Sequence, residues 1–232
     1  EVSSNMQNDE IEIFAHWAPS DLQKSFDYYN GREEVLASYG FTSVVKSDTT
    51  WMQSNKVLVL TAYYKNEIIA GMKVHLTGTD PLPLVVSLKD KCDGLHSFLE
   101  KVGGNNYAEI GGVWNSKKFA GLSFPHILAR YSLGLCKYLK LKTVFTFNAS
   151  YTYKLSKNYG AVLLESLGNN GWVDYPTPKY KAAIWMFPNV QELMCIYKED
   201  QIKIEELSIN PSAIFVEEKE LPNQMINYHA TI

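Results

Sequence analysis

A chain of 232 residues, 46% hydrophobic and 20% charged with 13% aromatic residues, has enough apolar material for a real core and too much for intrinsic disorder. Its formal net charge of −3 and pI near 6.0 argue against a broadly basic surface of the kind that binds nucleic acid. No apolar run is long enough for a membrane span, and no segment has a secretory signal's charged start and apolar middle. Cys92, Cys136 and Cys195 are odd in number and widely spaced. They fit reduced thiols better than a disulfide framework or a zinc site, so the expected compartment is the cytoplasm.

In chain order, Ile11-Glu12-Ile13-Phe14 alternates as a strand does. Ser20 and Gln23 have capping-box spacing for a helix with Leu22, Phe26 and Tyr29 on one face, an interruption at Asn30-Gly31, and a stop at Gly40. Residues 56–64 and 67–77, rich in β-branched and aromatic side chains, read as an antiparallel hairpin turning at Lys65-Asn66. Pro81 and Pro83 break the pattern. Residues 88–102 then read as one helix, with Leu95, Phe98, Leu99 and Val102 inward, before the turn at 103–106.

A strand is expected over 107–114. A helix follows over 124–140, where Ile127, Leu128, Tyr131, Leu135, Tyr138 and Leu139 recur at helical spacing and Pro125 is tolerated in the first turn. Further on come a strand at 144–147, a helix over 151–159 stopped by Gly160, and strands at 161–164 and 180–187. Beyond Asn189 a short helix and weak signals remain. With no repeat, low-complexity tract or linker, the expectation is one domain over residues 1–232, with 189–232 as a C-terminal extension.

The chemistry points first to residues 115–123, Asn-Ser-Lys-Lys-Phe-Ala-Gly-Leu-Ser, between an expected strand and an expected helix. Amides in a glycine-containing turn and the positive end of a helix together make a phosphate site. Lys117 and Lys118 would add charge and Ser123 would cap the helix. Walker A, G-x-G-x-x-G and H-E-x-x-H sequences are missing, as is paired Cys or His spacing for a metal. Cys136 lies within a helical apolar pattern and reads as core.

This loop and the order of elements over about 10–188 resemble the GNAT superfamily of acyl-CoA N-acyltransferases. The family signature is Arg or Gln, two residues, Gly, one residue, then Gly or Ala; Lys118, Gly121 and Ser123 fall on those positions and Gly121 alone matches strictly. The resemblance implies an α/β fold with a central mixed, mostly antiparallel twisted sheet flanked by helices. It further implies acetyl-CoA or another acyl-CoA as co-substrate, without a metal. Val113, Asn115, Lys118, Phe119, Ala120, Gly121, Leu122 and Ser123 would hold the carrier, with the amide near Val113 polarising the thioester carbonyl.

Asn148 matches an Asn that family members often carry after the next strand. The family's proton-donating Tyr falls on Ser156 here, and Ala161 replaces the usual aromatic residue. Tyr153, one turn earlier, is a substitute donor or an aromatic packed on the sheet. Glu109 is the candidate base, or else a structural charge, with His75 and His126 as further candidates.

The expected acceptor is a small-molecule amine or amino acid, and no nucleic acid partner and no membrane span are expected; a homodimer is compatible. The segment 81–106 is longer than the usual connection, so it either shapes a larger pocket or is a packing insertion. A larger pocket would suit a fatty acyl group on acyl carrier protein, as in N-acyl amino acid and acyl-homoserine-lactone synthases. Lys118 and Ser156 also leave open a catalytically inactive GNAT-like binding domain.

Overall fold

The structure, a computed structural model, describes residues 10–41, 48–78, 81–150, 152–218, 220–221 and 223–232. Its strands form a mixed sheet, mostly antiparallel, flanked by helices. The chain divides into two compact units: Glu1–Lys73, Gly112–Ser132 and Ile209–Ile232 in the first, Val74–Gly111 and Leu133–Ser208 in the second.

In the first unit, β1 (Ile11–Trp17) buries Ile11, Ile13 and Ala15 on one face, as its alternation predicts. It runs antiparallel to β2 (Val57–Tyr64), from Ile11↔Tyr64 to Trp17↔Leu58. β2 turns through Lys65 and Asn66, both at positive φ, into β3 (Glu67–Leu76), the two-residue turn that a hairpin's twist favours. On its other side β1 pairs in parallel with β10 (Gln224–Thr231), which is antiparallel to β9 (Ile214–Glu217).

The helix after β1 departs from expectation. α1 (Leu22–Ser38) is capped by Asp21, whose carboxylate accepts the Lys24 amide at 3.0 Å, while Ser20 Oγ donates to the Trp17 carbonyl. Its inward residues are Ser25 and Tyr28, and Leu22 and Phe26 are exposed. The helix is not interrupted at Asn30-Gly31. A side chain at Gly31 would overlap the Trp114 indole, so the glycine serves close packing rather than a break. Gly31→Ala should therefore destabilise the fold by about 1–3 kcal/mol despite its higher helix propensity, read as a lowered denaturation midpoint.

The tail that read weakly is built into both units. In the first, Glu217 on β9 receives Arg130 at 2.7 Å with both side chains almost fully buried, and Tyr131 donates to the Pro211 carbonyl. In the second, Lys137 binds both Glu205 and the Gln191 carbonyl at 2.8 Å, holding α6 (Lys198–Ile209).

The second unit holds the ladder of a βαβ crossover, Tyr107–Ile110 against Thr143–Thr146. β4 (Tyr107–Asn115) and β5 (Thr143–Ala149) are parallel, as short neighbours joined by a helix must be, and α4 (Phe124–Tyr138) connects them. β5 is antiparallel to β8 (Lys181–Phe187), on which β6 (Val162–Leu163) and the unforeseen β7 (Trp172–Asp174) also pair. The helix expected over 88–102 is two: α2 (Pro83–Leu88) and α3 (Leu95–Gly103). Pro83 opens α2, where a missing amide costs nothing, and Gly94 at φ +72 turns the chain between them. Val102 is exposed rather than inward. α5 (Tyr153–Asn158) begins after Tyr151, which lies outside the described residues. No described helix is long and apolar enough to cross a membrane.

Candidate functional site

β4 buries both faces from Tyr107 to Ile110 and then opens, with Gly112 and Val113 exposed. Gly112 takes φ +62, and its carbonyl accepts the Tyr28 hydroxyl at 2.5 Å. Burial raises the Tyr28 pKa, which keeps that donor protonated. The β4–β5 ladder runs from Tyr107↔Thr143 to Ile110↔Thr146, yet each strand continues beyond it.

After β4 the chain is anchored by Phe119, fully buried with its ring edge-on to Tyr64 at 5.8 Å, and by the equally buried Phe124. Between these anchors Ala120 and Gly121 are exposed. The turn spends several of its amides internally: Phe119 donates to Ser116, Ala120 to Lys117 and Leu122 to Phe119, while Asn115 Nδ2 donates to the Phe119 carbonyl. Gly121 at φ +88 and Ser123 at φ +53 interrupt that run. Among the described residues, the amides of Gly121, Ser123 and Phe124 meet no acceptor, and Pro125 has no amide hydrogen to offer. A non-glycine residue in left-handed conformation at a helix start is uncommon and concentrates at functional sites. Nothing lies within 4 Å of where a Gly121 Cβ would stand, so its backbone conformation is what demands glycine.

The two lysines bind within their own unit. Lys118 pairs with Glu67 at 2.5 Å, and Lys117 donates to the Ser38 carbonyl and lies over the Tyr39 ring. Both are exposed.

In the second unit, Glu109 is buried and its Oε2 accepts the Leu84 amide at 2.8 Å, in the first turn of α2. Asn148 donates to the buried Ser156 hydroxyl and accepts from Thr146 Oγ1 at 3.0 Å. Tyr153 is half-buried with its ring stacked on Trp185, centroids 6.5 Å apart. His75 and His126 are half-buried on β3 and in the first turn of α4. Burial pushes the Cys136 thiol up to about 12, far from thiolate chemistry.

Sequence reasoning missed two features. Thr146 enters the Asn148 chain through strand alternation, which places 146 and 148 on one face of β5. The other is an aromatic cradle in the first unit, where the Lys73 ammonium stands 4.0 Å from the Trp51 ring centroid and 5.4 Å from that of Tyr28. Trp51 lies in a 3₁₀ turn over Thr50–Gln53 that no periodicity announced.

No family model matches the sequence, and no curated protein does. Solved structures do match. The chain is similar to FeeM, an N-acyl amino acid synthase from uncultured soil microbes, at 12% identity and a TM-score of 0.55, over 77% of this chain and 95% of that one. It is similar to BjaI, a CoA-dependent acyl-homoserine lactone synthase solved with SAM and isopentyl-CoA, at 11% identity and TM-score 0.57, over 87% and 91%. For ElaA of Escherichia coli the values are 12% and 0.52, over 76% and 98%. At such identities likeness speaks for architecture, and the parallel β4–α4–β5 crossover agrees with it. The chain therefore shares the fold of FeeM, BjaI and ElaA.

Proposed function

We propose that this protein is an N-acyltransferase that moves an acyl group from acyl-CoA, or a related carrier thioester, to a small-molecule amine or amino acid. The observation that carries this reading is the accessible turn before α4. Its Gly121, Ser123 and Phe124 amides lie unspent at the start of a 15-residue helix. Such amides, with the positive end of the helix, suit the diphosphate of coenzyme A. Phe119 and Phe124 fix the turn in advance, and the Lys118–Glu67 pair steadies its flank.

In this reading the acceptor's unprotonated amine attacks the thioester carbonyl carbon, whose electron pair moves to oxygen, and the Val113 amide stabilises the oxyanion. Collapse breaks the C–S bond and releases the thiolate. Direct attack needs no metal. Glu109, on the same strand as Val113, accepts the amine's proton. Ser156 gives a proton to the leaving thiolate: its hydroxyl already accepts from Asn148 and keeps its own hydrogen to donate. Tyr153, stacked on Trp185, is the alternative donor. We place the reaction in the cytoplasm, in keeping with the free cysteines at 92, 136 and 195.

A longer donor, including a fatty acyl group on acyl carrier protein, is the second reading. It is favoured by the likeness in fold to FeeM, an N-acyl amino acid synthase, and to BjaI, an acyl-homoserine lactone synthase. Release of free thiol from acetyl-, succinyl- and long-chain acyl-CoA over a panel of amines tests both. The expected result is amine-dependent release above the background of the carrier alone. Release only with long-chain donors selects the second reading, and none with any pair, carrier-protein thioesters included, leaves a binding domain.

A further inference from the structure

We infer that Trp185 holds the sulfur of the acyl carrier's thioester through its indole N–H, and stabilises the charge that gathers on that sulfur as the acyl group departs. This rests on the acyl-transfer reading, in which Ser156 or Tyr153 protonates the leaving thiolate. Trp185 lies on β8 opposite Thr146 on β5, and residues paired across neighbouring strands share a face of the sheet. That face is the one under α5. The Tyr153 ring stacks on Trp185, whereas Phe147 and Ile184, next along each strand, turn to an apolar cluster on the other side.

Five side chains close a ring there. Thr146, beside Trp185, donates through Oγ1 to Asn148 Oδ1 at 3.0 Å, and Asn148 Nδ2 donates to the Ser156 hydroxyl. Ser156 and Tyr153 stand one turn apart on α5, and Tyr153 returns to Trp185 with centroids 6.5 Å apart. All five belong to one unit. Thr146, Ser156 and Trp185 are buried, while Asn148 and Tyr153 are half-buried, so the ring has a buried base and a side that solvent reaches.

In that ring the Trp185 indole N–H is buried, with the residue 6% exposed, and it meets no acceptor among the described residues. The buried Trp114 N–H also lacks one, but its surroundings are apolar: Trp114 packs with Ala18, Tyr28, Val57 and Val59, and a methyl group at Gly31 or Gly71 would overlap its indole. A donor buried without an acceptor costs stability, and one kept in a polar ring is accounted for by an acceptor that arrives with a ligand. The carrier's sulfur suits it. A thioester sulfur is a weak acceptor and a thiolate a strong one, so the hydrogen bond strengthens as the C–S bond breaks and its electron pair settles on sulfur. An indole N–H is a donor only and keeps its proton throughout; the proton that neutralises the thiolate still comes from Ser156 or Tyr153. The carbonyl oxygen, in the same mechanism, belongs to the Val113 amide.

The test compares, by calorimetry at about pH 9.5 where a free thiol is ionised, coenzyme A with desulfo-coenzyme A, in which hydrogen replaces the thiol. The parent protein should prefer coenzyme A by about 10- to 100-fold, the weight of one charge-assisted hydrogen bond. Trp185→Phe, whose ring still stacks on Tyr153, should lose most of that preference while its affinity for desulfo-coenzyme A stays at the parent's value. Should the phenylalanine variant not fold, β-(3-benzothienyl)alanine at position 185 keeps the bicyclic shape, lacks the N–H and makes the same comparison. A parent preference near one, a preference unchanged in the variant, or an equal loss of affinity for both ligands overturns the inference and leaves acyl transfer standing. If the parent binds neither ligand, the coenzyme A reading itself falls and the inference falls with it.

Discussion

Gly121→Val should weaken coenzyme A binding about 10- to 100-fold by calorimetry, while the fold and its denaturation midpoint stay close to the parent's. The cause is conformational. Gly121 sits at φ +88, where a β-branched residue is a genuine outlier, and open space surrounds the missing side chain, so the protein itself does not resist the bulk. Valine moves the exposed turn back toward ordinary dihedrals and turns the Gly121 and Ser123 amides away from a common anion. Gly121→Asn supplies the control, because asparagine tolerates left-handed backbone. Its affinity should lie between the two, and the gap between Asn and Gly measures how closely the diphosphate approaches the backbone. A folded Gly121→Val variant with parental affinity would remove the turn from the carrier site.

The contrast between what was legible and what was not follows the reach of each interaction. The hairpin, the crossover helix and the β4–α4–β5 order rest on local alternation and helical spacing, which residues 57–76 and 107–149 carry in their own sequence. α1 misled because its glycine answers Trp114, a residue far along the chain, and because Asp21 outcompeted Ser20 for the cap. β9 and β10 were invisible for the same reason. Their support comes from β1 at the other end of the chain and from a buried Arg130–Glu217 pair. At the site, the Gly121 turn could be read because its geometry is local. The Lys73 cradle could not, since Tyr28, Trp51 and Lys73 meet only in three dimensions. Glu109 could be placed on its strand from the sequence, but its contact with Leu84 required the fold.

That contact shapes the second large expectation. Glu109→Gln should lower acyl transfer at neutral pH about 10²- to 10⁴-fold, with coenzyme A affinity retained. The amide oxygen of glutamine can still accept the Leu84 amide, so α2 keeps its anchor and only the basic carboxylate is lost. Glu109→Ala separates the two roles: it strands a buried donor at Leu84 and should cost about 1–3 kcal/mol of stability besides the rate. If Glu109 accepts the proton, the deficit in Glu109→Gln shrinks with acceptors whose amines are already deprotonated, and shrinks again as pH rises toward the amine's own pKa. Near-normal turnover in a stable Glu109→Gln protein would make Glu109 a purely architectural acceptor for α2. The amine's proton would then pass to His75, His126 or solvent.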